Sequence, residues 1–268
     1  LALSTKISEE IYYSALSASC DLAVESGAHE GFAETRAAHG DLQFDLWGIE
    51  PTDSTRWAAL KDRVSQHGLR NSLMIAIAPT ATIASIAGCY ECIEPQVSNL
   101  FKRETLSGEF LQINRYLVNE LQDRGLWTED MAQRIKRDEG SIQEIDEIPA
   151  DLREIYRTAW ELPQRALIDL AASRGAYIDQ SQSLNLFMES PSIGKLSSMY
   201  MHAWKSGLKT TYYLRSRPAT RINQTTTGSD GAGPDGPPTD GASEPSPFTD
   251  EEAIACSLEN PESCEACD

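Results

Sequence analysis

The chain has 268 residues, 40% of them hydrophobic, which is enough for one large soluble domain or two small ones. Its net charge is −18, and no part of it offers the basic surface that general nucleic-acid binding requires, so we expect no nucleic-acid partner. No apolar run approaches the ~20 residues that span a bilayer, and a signal-peptide pattern is missing, so we expect a cytoplasmic protein without membrane contact.

Two sets of apolar residues at helical spacing predict helices in the first 70 residues. The first helix should stop at Gly27, and the second should begin near Ser54 and end at Gly68. Because the chain starts with Leu1 rather than Met, we expect it to begin inside a longer protein. The apolar positions are Ile11, Ala15, Ala18 and Leu22 in the first helix, and Trp57, Leu60 and Val64 in the second.

Three later stretches predict strands. Residues 73–78 form a short apolar run that ends at Pro79, as in a buried strand. Residues 177–187 alternate, but both faces carry polar side chains, so we expect one face to line a wet pocket. Residues 208–216 predict the last strand and the last ordered element.

Helical spacing predicts three further helices, and residues 128–158 predict short charged helices at the surface. The first of the three should end at Gly125, the second should begin at Pro163 and stop at Gly175, and the third should be capped by Ser192. Strands separated by helices favour an α/β architecture, either a parallel sheet or a barrel. The apolar positions are Phe110, Ile113, Leu117 and Leu121; Ala166, Leu167 and Leu170; and Leu196, Met199, Tyr200 and Ala203.

The last part of the chain has a different composition. Residues 218–268 are rich in Gly and Pro and carry eleven acidic residues against one basic residue. Such a segment buries too little apolar surface to offset the entropy of ordering, so we predict that it is disordered. We therefore divide the chain into an ordered domain, 1–217, and a disordered acidic tail, 218–268.

The predicted strand at 73–78 leads into small, hydroxyl-rich residues that run from Pro79 to Ser85. If a helix begins there, its backbone N–H groups and the threonine hydroxyls can bind a phosphate. The alternative is an ordinary capped turn between a strand and a helix. The Gly-Lys-Ser/Thr sequence of a P-loop is missing.

Two adjacent tyrosines, Tyr212 and Tyr213, lie in the last predicted strand. Aromatic residues are common in strands, so strand propensity alone accounts for them. The functional alternative is a relay in which stacked phenols pass an electron and a proton. Neighbours in a regular strand point to opposite faces, so a relay needs an irregular backbone at this point.

The tail ends in a Cys-x-x-Cys motif, Cys264 and Cys267. Such a pair can close a small disulfide and exchange with other thiols, and a flexible tail would let it visit two sites in turn. The alternative is a zinc site with Cys256 as third ligand, although the tail contains no His to complete it.

The remaining cysteines give weaker signals. Cys89 and Cys92 form a second Cys-x-x-Cys, for which metal or redox roles and a purely structural role all stay open. Cys20 lies in a predicted helix, where packing is its expected role. With no export signal, six cysteines indicate a reducing compartment, and because the four histidines lack ligand spacing we assign no residue as a metal ligand.

Taken together, these stretches resemble the large, catalytic subunit of class I ribonucleotide reductase. The similarity covers roughly residues 6–217 and the cysteine-bearing end of the tail. The matching stretches are residues 68–72, 78–84, 88–95, 99–101, 106–110, 179–185 and 207–215.

The resemblance implies a fold and a set of site residues. The fold would be the C-terminal half of a ten-stranded α/β barrel. Tyr213 would receive a radical from the small subunit and Tyr212 would pass it inward, while Cys264 and Cys267 would re-reduce the active-site disulfide and be reduced in turn by thioredoxin or glutaredoxin. The residues implied to bind the phosphates of the substrate are Pro79, Thr80, Ala81, Thr82 and Ile83.

The implied activity is radical reduction of ribonucleoside diphosphates to deoxyribonucleotides for DNA replication. The resemblance implies that this chain binds no cofactor directly, since a metal-containing small (beta) subunit supplies the radical. It also implies a homodimeric, allosteric enzyme whose ATP and dNTP effectors bind outside this chain. No stretch matches the loop that carries the radical cysteine, so we expect that loop upstream of Leu1 and expect this chain alone to be inactive.

Two alternatives remain. A cobalamin-dependent ribonucleotide reductase shares the barrel but needs no tyrosine relay from a second subunit. A non-catalytic binding module with a zinc site in the tail would explain the cysteines without any reaction.

Overall fold

A computed structural model of the chain describes residues 1–105 and 108–217. The predicted disordered tail, 218–268, and its cysteines Cys256, Cys264 and Cys267 lie outside these residues. Within the described residues, helices predominate, and none of them is long and apolar enough to cross a membrane. The architecture is a helix-rich α/β arrangement with two small two-stranded sheets.

Along the described residues, four α-helices are followed by two strands, four more helices, a strand, a helix and a last strand. The helices are α1 (Ala2–Ser26), α2 (Gln43–Leu46), α3 (Ser54–His67), α4 (Ala81–Ala87), α5 (Arg115–Asp123), α6 (Glu129–Arg137), α7 (Ala150–Ile155), α8 (Gln164–Gly175) and α9 (Ile193–Lys205). The strands are β1 (Leu100–Thr105), β2 (Gly108–Ile113), β3 (Leu186–Phe187) and β4 (Leu214–Arg215).

Helix α1 confirms the first predicted helix and its stop at Gly27, but the predicted buried face is wrong. Ile11 and Leu22 are half exposed. The buried face instead carries Tyr12 and Leu16, because these side chains meet the aromatic cluster around Trp57, whose ring centroid lies 5.9 Å from that of Tyr12. Apolar residues occur on two faces of α1, and periodicity does not show which face another element covers.

Helix α3 confirms the second prediction. The Asp53 side chain accepts the N–H of Arg56 at 2.9 Å and caps the helix. The chain leaves the helix at Gly68 with φ 78°, and a Cβ there would lie 2.5 Å from the Cβ of Ala28. Glycine is therefore required both by the backbone and by the close approach.

The buried strand predicted at 73–78 is wrong in its burial and its extent. Leu73 is 53% exposed, and only Ile77 makes a ladder bridge, a parallel one to Gln182. The segment is extended, and the N–H groups of Met74 and Ile75 are bound by the Asp179 carboxylate at 2.8 Å each.

The strands predicted at 177–187 and 208–216 are shorter than expected. Each contributes a two-residue strand, β3 and β4, which pair in parallel. The segment 177–187 nevertheless has a partner on each side. Its earlier residues bond to Ile75 and Ile77, and its later residues pair with β4. Three of the predicted strands therefore do run parallel, which supports the α/β prediction.

The helix predicted from Phe110 and Ile113 is wrong for its first half. Both residues lie in β2, which forms an antiparallel hairpin with β1. The helix, α5, starts only after Asn114, whose side-chain oxygen accepts the N–H groups of Tyr116 and Leu117. This cap separates strand from helix, and the helical spacing of Leu117 and Leu121 extends backwards into the strand by coincidence.

Helices α6 and α7 confirm the short charged helices predicted within 128–158. They do more than cover the surface, because with β1 and α5 they enclose a separate hydrophobic cluster. Its buried members are Leu100, Leu117, Leu121, Met131, Ile135, Ile142, Ile145, Ile148 and Leu152.

Helices α8 and α9 pack against β3 around a third cluster. Pro163 precedes α8 at the N-cap rather than lying in its first turn, and Ala166 is exposed, so the predicted face of α8 is shifted. Helix α9 is as predicted, with the Ser192 hydroxyl accepting the N–H of Lys195. The buried members of this cluster are Ala159, Leu167, Ile168, Ala171, Leu184, Leu186, Phe187, Met199 and Ala203.

Candidate functional site

The two adjacent tyrosines, Tyr212 and Tyr213, lie in direct contact. Their ring centroids are 4.0 Å apart and the ring planes are inclined by 49°. The rings are about half exposed, at 48% and 53%. The contact meets the condition that the relay prediction set, namely that neighbouring side chains lie together rather than on opposite faces of a strand.

The backbone explains this contact. In a regular parallel ladder, the N–H and the C=O of one residue bond to the two residues that flank its partner in the neighbouring strand. Here Tyr212 donates its N–H to Leu184, while the C=O of Tyr213 accepts the N–H of Leu186. Two residues thus occupy the position of one opposite Asn185, as in a β-bulge. The regular strand begins only at Leu214.

The neighbouring phenol of Tyr213 raises the pKa of Tyr212 above its ordinary value of 10, chiefly as a hydrogen-bonding side chain and also through its charge when ionised. Tyr212 therefore keeps its proton at neutral pH. A protonated phenol in ring contact with a second phenol can lose an electron and a proton together, which is the chemistry that a relay needs.

The segment before the tyrosines is anchored by side chains. The Lys209 ammonium donates to the carbonyl oxygens of Ile178, Asp179 and Gln180 at 2.8–3.0 Å. The Thr210 hydroxyl donates to the carbonyl of Gln182 at 2.9 Å. These bonds fix the entry into the bulge, so the position of the rings depends on the neighbouring segment.

The predicted phosphate-binding residues form a turn followed by a short helix. Helix α4 begins at Ala81, and Thr80 is its N-cap residue with φ 55°. The N–H groups of Ala81, Thr82 and Ile83 have no hydrogen-bond partner within 1–105 and 108–217. All three residues are exposed. Free N–H groups at the positive end of a helix dipole attract an anion, so the turn retains the chemistry predicted for it.

The backbone of this turn is strained. Thr80 is β-branched and lies in the left-handed region, where such a residue costs about 1–2 kcal/mol. Cys92 also has a positive φ, 65°, and it contacts the turn directly. Its N–H donates both to the carbonyl of Pro79 and to the Thr80 hydroxyl, at 3.2 Å each, and its thiol donates to the Pro79 carbonyl at 3.3 Å.

Asn185 connects this turn with the tyrosine pair. Its side-chain amide donates to the Cys92 sulfur at 3.3 Å, and its backbone lies opposite the bulge formed by Tyr212 and Tyr213. The sequence placed Asn185 on a polar strand face but gave it no role, and it left the role of Cys92 open. No sequence pattern shows this link, because the loop 88–95 returns to Pro79 only in the folded chain.

Asn185 also confirms that one polar face of its segment lines a pocket. A cavity of about 300 Å³ is bordered by Tyr90, Cys92, Glu94, Asn185 and Arg215, among others. Asn185 is only 3% exposed, yet its Oδ1 atom has no hydrogen-bond partner among the described residues. Its Nδ2 and backbone N–H groups both contact the Glu94 carboxylate, at 3.4 and 3.1 Å.

A second cavity, which the sequence did not predict, lies between α8, β3 and α9. It has a volume of about 440 Å³. His202 borders it and is joined to Asp169 by a contact of 2.7 Å between Nε2 and Oδ1. This contact ties α8 to α9.

The cysteines that can be described are all free thiols. Cys20 is fully buried, which confirms packing as its role, while Cys89 is exposed. Burial first, and then the charge of Glu94, raises the pKa of the Cys92 thiol to about 11. Among residues 1–105 and 108–217, no cluster of three or more His, Cys, Asp or Glu side chains could hold a metal.

Comparison with known proteins identifies similar chains. The family described as "Ribonucleotide reductase, barrel domain" matches residues 1–214. The chain is 49% identical over 225 residues to the "Ribonucleoside-diphosphate reductase large subunit" of Caenorhabditis elegans, which covers 84% of this chain and 29% of that protein. It is 46% identical over 266 residues to the protein of the same name from Danio rerio, covering 99% of this chain and 34% of that one.

A solved structure is also similar. It is that of the Actinobacillus ureae class Id ribonucleotide reductase alpha subunit, at 26% identity and a TM-score of 0.61, covering 81% of this chain and 34% of that one. The chain therefore spans about a third of the length of the relatives it matches.

Proposed function

The chain belongs to the ribonucleotide reductase family, and on that premise we propose that it is part of the catalytic subunit of a class I ribonucleoside-diphosphate reductase. The reaction removes the ribose 2′-hydroxyl, which leaves as water. Two thiols supply the electrons and become a disulfide. The reaction is started by a cysteine radical that abstracts a hydrogen atom from C3′. The complete barrel would have ten strands, of which this chain supplies part.

The observation that carries the proposal is the contact between Tyr212 and Tyr213. A pair of aromatic residues that served only strand formation would alternate between faces. The bulge opposite Asn185 instead brings both rings to a centroid separation of 4.0 Å. In the proposed relay, Tyr213 accepts the radical from a metal-containing small subunit and Tyr212 passes it inward. This requirement favours class I over the cobalamin-dependent alternative, which needs no such relay.

The proposed substrate site is the turn at the start of α4. Ala81, Thr82 and Ile83 offer three free N–H groups, and Thr80 and Thr82 offer hydroxyls close to them. A diphosphate presents anionic oxygens to these donors without requiring a basic side chain. Pro79 ends the preceding extended segment and sets the direction in which the turn opens.

The proposed reductant pathway uses the end of the chain. Cys264 and Cys267 would reduce the active-site disulfide by exchange and would then be reduced by thioredoxin or glutaredoxin. They lie outside the described residues, so this step rests on the motif and on the family. We further propose that the full-length subunit is a cytoplasmic homodimer whose ATP and dNTP effectors bind outside this chain.

A reductase assay tests the proposal. The full-length subunit, combined with its small subunit, should reduce CDP to dCDP with thioredoxin as reductant. Cys264→Ser or Cys267→Ser should block multiple turnover with thioredoxin, while dithiothreitol should still support some activity. Cys256→Ser is the matched control in the same tail and should stay close to wild type.

Two results would contradict the pathway through the tail. Equal loss of activity with thioredoxin and with dithiothreitol would argue against a shuttle. One zinc per chain that is lost in Cys256→Ser would favour the zinc-binding alternative.

A further inference from the structure

The loop 88–95 leads from the end of α4 back to its beginning and brings Cys92 against the proposed phosphate-binding turn. We propose that Cys92 is a positioning residue for substrate binding, whose backbone N–H and thiol hold Pro79 and Thr80 so that the free N–H groups of α4 face the diphosphate. The inference rests on the function proposed for the turn, and it assigns a role to a residue whose role was open from the sequence alone.

The contacts of Cys92 are concentrated on this turn. Its N–H is shared between the Pro79 carbonyl and the Thr80 hydroxyl, and its thiol donates to the same carbonyl. The Thr80 hydroxyl oxygen therefore accepts a bond from the loop and keeps its own hydrogen for a ligand, while no side-chain hydrogen bond caps the helix among the described residues. This arrangement leaves the first N–H groups of α4 open to a ligand.

The strained residues coincide with these contacts. Within the described ranges, three residues other than glycine have positive φ, and two of them are Thr80 and Cys92. A β-branched residue stays in that conformation only where its surroundings hold it. The hydrogen bonds from Cys92 provide that restraint at the residue where α4 starts.

Cys92 is itself held from the other side. The Asn185 amide donates to its sulfur and to the Glu94 carboxylate. The buried Arg174, 4% exposed, has its pKa lowered by burial and raised by the charge of Glu94. The Asn185 backbone also lies opposite the tyrosine bulge, so a single residue borders both the proposed substrate site and the proposed relay.

The state of the thiol fits a positioning role. A proton on sulfur is required for donation to the Pro79 carbonyl, and burial favours the protonated form. A thiol that keeps its proton is a poor nucleophile, which argues against Cys92 as an attacking group in disulfide exchange with Cys89.

Steady-state kinetics of the full-length subunit with its small subunit test the proposal. Cys92→Ala should raise KM for CDP about three- to tenfold, as expected for the loss of one or two weak hydrogen bonds, with kcat changed less than about twofold. Cys92→Ser should restore KM, because a hydroxyl can make the same donation. The exposed Cys89→Ala is the control and should match wild type. A wild-type KM in Cys92→Ala, or equal impairment in Cys92→Ser, would overturn the proposal.

Ligand protection gives a readout that general destabilisation would not produce. In the wild-type full-length protein, CDP or inorganic pyrophosphate should slow the alkylation of Cys92 by N-ethylmaleimide. Mass spectrometry of the peptide that contains Cys92 measures this rate. The alkylation of Cys89 should be slowed less. Alkylation of Cys92 that is indifferent to saturating CDP would contradict the proposal.

Thr82→Val separates failure of this inference from failure of the proposed site. Thr82 lies in α4 and makes no hydrogen bond to Cys92. If Thr82→Val raises KM and Cys92→Ala does not, Cys92 has no positioning role although the turn binds phosphate. If neither variant changes KM, neither the Cys92 thiol nor the Thr82 hydroxyl contributes to substrate binding, and the positioning role of Cys92 falls.

Discussion

Replacing Thr80 with glycine separates the strain in the proposed phosphate-binding turn from its hydrogen bonding. Glycine relieves the left-handed conformation of a β-branched residue, which is worth about 1–2 kcal/mol. It also removes the hydroxyl that accepts the N–H of Cys92 at 3.2 Å, at a cost of about 0.5–1.5 kcal/mol. The greater freedom of glycine in the unfolded chain costs about 0.4–1 kcal/mol more. These contributions nearly cancel, so the free energy of unfolding should change by less than about 1 kcal/mol.

Substrate binding should respond differently from stability. Without the hydroxyl and with a flexible residue at the N-cap, the first N–H groups of α4 are no longer held in one orientation. We expect KM for CDP to rise about fivefold, equivalent to about 1 kcal/mol. Thr80→Ser is the matched control, because it keeps the hydroxyl without the β-branch and should preserve both KM and stability.

The assay combines denaturant unfolding with steady-state kinetics on the same protein samples. An unfolding free energy reduced by more than about 2 kcal/mol in Thr80→Gly would show that the turn is not strained. An unchanged KM would show that the orientation of the turn does not matter for the substrate.

Three further predictions concern stability and titration. Gly140→Ala should lower the unfolding free energy by at least about 2 kcal/mol, since φ is 87° and a Cβ would lie 1.8 Å from the Ser98 hydroxyl oxygen. Gly48→Ala, which also has a positive φ but lies in open space, should cost clearly less. Equal costs of the two variants would refute the steric argument. Because the pKa of the Cys92 thiol is raised to about 11, the rate of its alkylation should keep rising above pH 9. Its contribution to stability should fall as pH rises from 9 through 11. An alkylation rate that reaches a plateau near pH 9 would contradict this. Two hydrogen bonds from Arg134 lower the pKa of Glu147 to about 2, so stability should be lost as pH falls from 4.5 through 2. The stability of Arg134→Gln should depend less on pH over that window. Equal acid sensitivity of the variant and the wild type would contradict the pairing.

Local signals in the sequence were sufficient where a helix has its own start and stop. Helix α3 begins after a capping Asp53 and ends at a glycine that must be glycine, and α9 begins after Ser192. A sequence pattern is not sufficient where a strand and a helix share the same spacing of apolar residues. The spacing of Phe110, Ile113 and Leu117 fits a helix, yet the hydrogen bonds made by Asn114 divide the stretch into strand and helix.

The candidate site could be predicted in its residues but not in its connections. The sequence indicated the turn at Thr80 and the tyrosine pair, and it showed that the pair requires an irregular backbone. The form of that irregularity depends on where Leu184 and Leu186 place their hydrogen bonds, which is a tertiary property. The link through Cys92 and Asn185 joins residues 93 positions apart and has no sequence periodicity.

The most direct test of the proposed catalytic role is a comparison of turnover and substrate binding in Tyr212→Phe and Tyr213→Phe. Both variants keep the rings and the backbone bonds of the bulge, so folding and CDP affinity should stay close to wild type. Tyr200→Phe on α9, also a partly exposed tyrosine, is the control. The relay predicts that each of the first two variants abolishes CDP reduction by the assembled enzyme while CDP still binds, and near-normal turnover in either would contradict it.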